Sequence, residues 1–125
     1  MLRIRSTMCV TQFAIATVVV SSIIAATITA RAAERSKENY LMRCASCHGV
    51  EGRGDGPSLK WLLTRPTDFR DCGDMRKLSD DTMFTVIKYG TGAVDLPPDM
   101  PGFWNRLSDD EIKNVVSFVR QFCPK

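Results

Sequence analysis

Residues 44–57 read Cys-Ala-Ser-Cys-His, then Gly-Val-Glu-Gly-Arg-Gly-Asp-Gly-Pro, and every other part of the chain is best read outward from this stretch. Cys44 and Cys47 are separated by two residues, and His48 follows the second thiol directly. A C-x-x-C pair can be a redox dithiol, but that use needs a strand-then-helix setting, which the flanking sequence lacks. It can be half of a zinc site completed by Cys72 or Cys123. Adjacent Cys47 and His48 do not easily point at one tetrahedral ion, however, and the sequence has no second close cysteine pair. The full C-x-x-C-H pattern suits covalent attachment of a haem. Two thiols add across the vinyl groups of a porphyrin, and the two intervening residues let both sulfurs reach one edge of the ring. The adjacent imidazole then projects beneath the ring to the iron. His48 is the only histidine of the chain, so no other imidazole can serve an iron.

A ligating imidazole needs an acceptor for its other ring nitrogen. The glycine loop ends in Gly56-Pro57, and the Pro57 carbonyl is the acceptor this reading selects; the plainer alternative is that Pro57 only closes the loop. A sixth iron ligand is sought among the methionines, with lysine, tyrosine or water as the other choices. Of the 6 methionines, Met1 and Met8 belong to the N-terminal segment. Met42 is too near Cys44 to reach the opposite face, and Met75 and Met83 suit core packing. Met100 stands apart, in Leu96-Pro97-Pro98-Asp99-Met100-Pro101-Gly102-Phe103. Prolines there restrict the backbone and lower the entropy lost in placing a ligand.

Further out, residues 34–43 suit a helix carrying Tyr40 and Leu41 as its apolar contacts. Residues 58–63 suit a short helix with Trp61. Residues 64–74 read as irregular, broken by Pro66 and Gly73. Ser79 is an N-cap for residues 80–89, where Met83, Phe84 and Ile87 share a helical face. Residues 91–105 are a loop. Ser108 and Glu111 form a capping box for a final helix with the stripe Ile112, Val115, Val116, Val119 and Phe122, stopped by Pro124. Nothing alternates as a strand does. Short helices with long loops make poor architecture for an apolar core alone, and become reasonable when a large apolar group sits among them.

The N-terminal third reads differently. Arg3 and Arg5 precede an uncharged run from Cys9 to Ala30, and Ala30-Arg31-Ala32 suits signal peptidase. Residues 1–32 are therefore expected to be a secretory signal, with an uncleaved membrane anchor as the alternative. Either way the domain of residues 33–125 is expected outside the cytoplasm, in the periplasm. The net charge of +3 arises from Arg3, Arg5 and Arg31. The rest is balanced, which gives no case for nucleic acid as a partner and none for strong steering by one sign of charge. In an oxidising compartment isolated cysteines tend to pair. A Cys72–Cys123 disulfide is expected, against free or intermolecular thiols, and closing so long a loop contributes up to ~4 kcal/mol in the chain-entropy model.

Taken in order, the attachment helix, CASCH, the loop GVEGRGDGP, the middle helix, Met100-Pro101-Gly102-Phe103 and the final helix resemble the class I cytochromes c. The similarity is greatest to the small bacterial monohaem proteins and covers residues 34–123. The resemblance implies an all-α cytochrome c fold, three or more short helices and long loops wrapped around one covalently bound haem c. It implies Cys44, Cys47, His48, Met100 and Pro57 as the haem-binding residues, with His48 and Met100 on the iron and the Pro57 carbonyl holding the histidine. It also implies terminal helices crossing beside the haem, with Tyr40 and Phe118 as aromatic packing. Cys72 and Cys123 are a departure from the small members. The expected function is electron transfer between redox proteins by transient contact, with no catalytic residue. Tyr40, Trp61, Phe84, Phe103, Trp104 and Phe118 are expected to exclude water, and Trp61, Trp104, Arg65 or Arg70 could donate to a propionate. The alternatives are a peroxidase-like enzyme or gas sensor with an open iron position, and a haem subunit docked in a larger membrane complex.

Overall fold

The structure is a computed structural model that describes residues 26–123. The chain divides into two compact units, Met1–Ala32 and Ala33–Lys125. Within the first, residues 26–32 are helical; the rest of the expected signal or anchor, and Pro124, lie outside the described residues. Among the described residues no helix is long and apolar enough to cross a membrane.

In the second unit, residues 33–43 form helix α1, followed at once by α2 (Ala45–His48). A 3-10 turn at Pro57–Trp61 precedes α3 (Cys72–Met75), α4 (Asp80–Tyr89), a second 3-10 turn (Thr91–Val94) and α5 (Asp109–Val119). The last helix runs on as a 3-10 turn, Arg120–Phe122. The described residues contain no strand, only an isolated antiparallel bridge between Gly90 and Pro101. The all-α expectation therefore holds.

Helix starts are written locally. Ser79 accepts from the Thr82 N–H at 3.0 Å, and Asp80 and Asp81 complement the positive end of the α4 dipole. The α5 capping box is complete: Ser108 Oγ accepts from the Glu111 N–H at 3.3 Å, and the Glu111 carboxylate accepts from the Ser108 N–H at 2.9 Å. Residues 72–75, read from sequence partly as irregular, form α3 because the Asp71 carboxylate caps it, accepting from Gly73 and Asp74 N–H. The 58–63 stretch is a 3-10 turn, opened by Pro57 at its first position.

The core joins Tyr40 of α1 and Ala45 of α2 to Met75, Met83, Ile87, Phe103 and Leu107. The α5 residues Ile112, Val115, Val116 and Val119 complete it, all buried as their stripe predicts. Phe122 and Phe118 pack against it half-buried. Tyr40 lies 5.2 Å from Phe118 between ring centroids, so the first and last helices meet through aromatic rings, as expected. The Cys72–Cys123 disulfide forms, with the Cα atoms 5.4 Å apart. Beside it, Arg120 donates Nη1 to the Met75 carbonyl at 2.5 Å, Nη2 to the Leu78 carbonyl, and Nε to Asp80 at 2.8 Å.

Two expectations about water exclusion are corrected. Trp61 is 78% exposed and Trp104 65% exposed. Trp61 ends a 3-10 turn that buries none of its residues, and the inward position next to Trp104 is taken by Phe103, only 6% exposed.

Candidate haem site

The attachment segment is one helical turn. Cys44 accepts through its carbonyl from both the Cys47 N–H (3.1 Å) and the His48 N–H (2.9 Å). Side chains three positions apart share a helix face, so the two thiols lie on one side of the turn, and His48, the next residue, projects about 100° away from Cys47. Both cysteines are half-buried free thiols. Burial, with Arg43 opposing and Cys47 adding, pushes the Cys44 thiol up to about 11.

The glycine loop folds straight back onto this turn. Gly54 donates to the His48 carbonyl at 2.8 Å and Gly56 to the Cys47 carbonyl at 3.1 Å. The approach at Gly56 is close enough to require a residue with no side chain: a Cβ there would lie 2.3 Å from the Ser46 carbonyl oxygen. Tyr40 closes the other side, its hydroxyl donating to the Gly49 carbonyl at 2.6 Å.

His48 stacks on Phe69, ring centroids 4.5 Å apart and 15° between planes. Phe69 is in turn placed by its N–H, bonded to the Gly52 carbonyl at 2.7 Å. Burial holds the imidazole below its ordinary value, with the Thr67 backbone opposing. His48 Nδ1 is buried without a hydrogen-bond partner. Pro57 is exposed, at the head of its 3-10 turn.

Met100 is half-buried against the same apolar core that Cys44 packs on. Its N–H donates to Thr91 Oγ1 at 3.3 Å and its carbonyl accepts from the Thr91 N–H at 3.1 Å. Next to it, Asp99 accepts from Leu63 N–H (3.1 Å), Thr64 N–H (2.9 Å) and the Thr64 hydroxyl (2.9 Å). These donors, the Leu63 N–H foremost, hold the Asp99 carboxyl below its ordinary value. The other methionines follow their expected packing roles: Met75 is 1% exposed and Met83 8%, while Met42 is 70% exposed. Arg65 donates to the Arg53 carbonyl at 3.4 Å, and Arg70 pairs with Asp68 at 3.5 Å.

Sequence reasoning missed Phe69, Asp99 and Arg120. Their partners lie elsewhere in the chain, and no local pattern points to them.

The residues present fit a covalently attached haem. Cys72 and Cys123 are consumed by their disulfide, which removes both completing ligands from the zinc reading. Among the described residues no group of three or more His, Cys, Asp or Glu side chains could hold a metal ion. What remains is a half-buried thiol pair on one turn beside a half-buried histidine whose Nδ1 is buried without a partner. That donor set suits thioether bonds and a nitrogen ligand.

Comparison with known proteins agrees. Residues 31–119 match the family described as "Cytochrome C oxidase, cbb3-type, subunit III". The chain is 36% identical over 84 residues to the "Alcohol dehydrogenase (quinone), cytochrome c subunit" of Gluconobacter oxydans (strain 621H), covering 67% of this chain and 17% of that protein. It is 29% identical over 96 residues to a "Nitrite reductase" of Stutzerimonas stutzeri, covering 74% of this chain and 16% of the relative. The chain thus spans about a sixth of the length of these curated relatives. Among solved structures, "KustC0563 c-type cytochrome" superposes with a TM-score of 0.59 at 30% identity, covering 71% of this chain and 98% of that one. The chain therefore belongs to the cytochrome c family described as cytochrome c oxidase, cbb3-type, subunit III, whose members carry covalently bound haem c and transfer electrons.

Proposed function

We propose that this chain is a single-electron carrier and not an enzyme, with Cys44 and Cys47 fixing haem c through thioethers and His48 and Met100 as its axial ligands. The observation that carries this reading is a half-buried pair of free thiols on one helical turn, followed directly by a histidine whose Nδ1 is buried without a partner. When bound, the haem iron supplies a one-electron couple. The chain's own contribution is to hold and shield it. Gly56 lets the loop close on the attachment turn, Phe69 walls the histidine, and Tyr40 ties down the residue after it. The orphaned His48 Nδ1 needs an acceptor, and we assign it the Pro57 carbonyl, one residue beyond the bond that ties Gly56 to Cys47. Thr91 holds both backbone atoms of Met100. A sulfur ligand in the sixth position closes it to peroxide and to gases, and favours the ferrous state relative to a second imidazole.

The site of action on this reading is the periplasm. The N-terminal segment serves for export, and membrane attachment follows only where that segment is retained. Partners are redox proteins met through a small, transient contact. A second reading, a haem subunit docked within a larger redox assembly, is favoured by the relatives, one of which is itself a cytochrome c subunit.

Carbon monoxide separates carrier from enzyme or sensor. The reduced holoprotein is expected to keep its spectrum under carbon monoxide while exchanging electrons readily with a small redox mediator. Rapid gas binding, or turnover of hydrogen peroxide, would sink the carrier reading. Native mass and the N-terminal residue of protein purified from its own membranes and periplasm distinguish a free carrier from a docked subunit.

A further inference from the structure

The loop that carries Met100 has two faces, and they are anchored differently. Toward α4 the anchoring is extensive. Thr91 bonds both backbone atoms of Met100 and donates its hydroxyl to the Pro97 carbonyl at 2.5 Å. Phe103 and Trp104 donate to the Ile87 and Lys88 carbonyls at 3.0 and 3.1 Å. Toward residues 63–64 the arrangement is sparse. Leu63 is 81% exposed and Leu96 55% exposed, so apolar packing does not tie the two segments together. Among the described residues one side chain makes the hydrogen bonds between them, Asp99, which uses both carboxylate oxygens on three donors 35 and 36 positions upstream.

Resting on the reading of Met100 as an iron ligand, we propose that Asp99 is a positioning residue, whose carboxylate pins the 96–103 loop to residues 63–64 and so holds the Met100 sulfur in place. Asp99 is the residue directly before the one it positions, so little slack separates anchor and ligand. Its donors include two backbone N–H groups, which fix its direction and cannot be lost by a side-chain rotation. Hydrogen bonds to a charged acceptor are stronger than neutral ones. Without Asp99 the loop keeps its α4 attachment and can swing on it. The consequence falls on occupancy of the sixth position more than on the fold.

The test uses the purified holoprotein and four variants: Asp99→Ala, Asp99→Asn, Thr64→Val and Asp95→Asn. The last removes a charge from the same loop at a residue outside the proposed clamp. Two signals are read, the far-red absorption of ferric haem bound to methionine sulfur and the rate of carbon monoxide uptake after reduction. For Asp99→Ala the far-red band is expected to fall and gas uptake to rise on the order of tenfold or more, the scale set by losing bonds to a charged acceptor. Asp99→Asn retains an accepting oxygen and is expected to recover part of the band, as is Thr64→Val, which loses one of the three bonds. Asp95→Asn is expected to match the parent. An Asp99→Ala protein with the parent's band and the parent's inertness to gas overturns the proposal and leaves Met100 ligation standing. Equal losses in Asp95→Asn overturn it as well, since loop charge and not the clamp would then be the cause. A parent protein with no far-red band overturns Met100 ligation, and this proposal with it. Should Asp99→Ala fail to fold, Asp99→Asn and Thr64→Val decide by the same signals.

Discussion

The Tyr40 hydroxyl donates a 2.6 Å hydrogen bond to the carbonyl of Gly49, the residue directly after His48. Tyr40 is 0% exposed and Gly49 is buried, so the bond lies inside the protein and couples helix α1 to the attachment turn. Tyr40→Phe keeps the ring contacts and strands the Gly49 carbonyl, with an expected loss of about 1–3 kcal/mol. Burial, with Cys44 and Asp55 adding, holds the phenol above its ordinary value of 10.0. A phenol whose folded value is raised contributes stability that is fully present below the unfolded value and is lost as pH rises toward the folded one. Thermal melts of parent and variant should therefore differ most at neutral pH and converge above about pH 10. A gap that widens in alkali contradicts this account.

The disulfide closes a loop with a sequence separation of 51 and staples the start of α3 to the end of the final helical stretch. The double variant Cys72→Ser, Cys123→Ser is expected to lose up to ~4 kcal/mol, with its covalent haem retained. Melting the parent with and without reductant checks it. Identical melting temperatures would show that the bond does not stabilise the domain.

Arg120 has three distinct acceptors, the Met75 and Leu78 carbonyls and the Asp80 carboxylate. A lysine cannot reproduce that fork. Both Arg120→Lys and Arg120→Ala are thus expected to lose about 1–3 kcal/mol through unpaired carbonyls. Asp80→Asn, which leaves those carbonyls paired, should lose clearly less. Urea unfolding of the three variants reads the order directly, and an Asp80→Asn loss equal to that of Arg120→Ala would mean that the ion pair dominates.

Gly56→Ala tests the loop closure. Its added carbon would lie 2.3 Å from the Ser46 carbonyl oxygen, on backbone that cannot rotate aside. Lower stability and a lower yield of covalently attached haem per folded chain are expected, measured by haem stain against total protein. A normal yield would show that the loop can open without disturbing the attachment turn.

What could be read from the sequence was local chemistry. The Ser79 cap, the Ser108–Glu111 box and the Ile112, Val115, Val116 and Val119 stripe of α5 each lie within a few residues, and each appears in the fold. The disulfide was legible because only two cysteines remained once the attachment pair and Cys9 were set aside. Asp71 as the cap of α3 is masked in the sequence because Pro66 and Gly73 dominate their stretch. Phe69 on His48, Asp99 on Leu63 and Thr64, and Arg120 on Met75 were out of reach for a different reason. Those partners meet only after the chain folds, and neither periodicity nor motif records a contact between distant loops. The two tryptophans show the converse: of the adjacent aromatics Phe103 and Trp104 only Phe103 turns inward, and Trp61 sits on a turn that buries none of its residues.

The central claim, His48 and Met100 as a closed ligand pair in an electron carrier, is tested most directly by the far-red absorption of the oxidised holoprotein, compared with Met100→Ala. The account predicts a weak methionine–iron band in the parent, absent from the variant, with carbon monoxide binding after reduction only in the variant. A parent lacking that band and binding carbon monoxide as fast as Met100→Ala would contradict it, leaving an open iron position and a haem enzyme or sensor in place of a carrier.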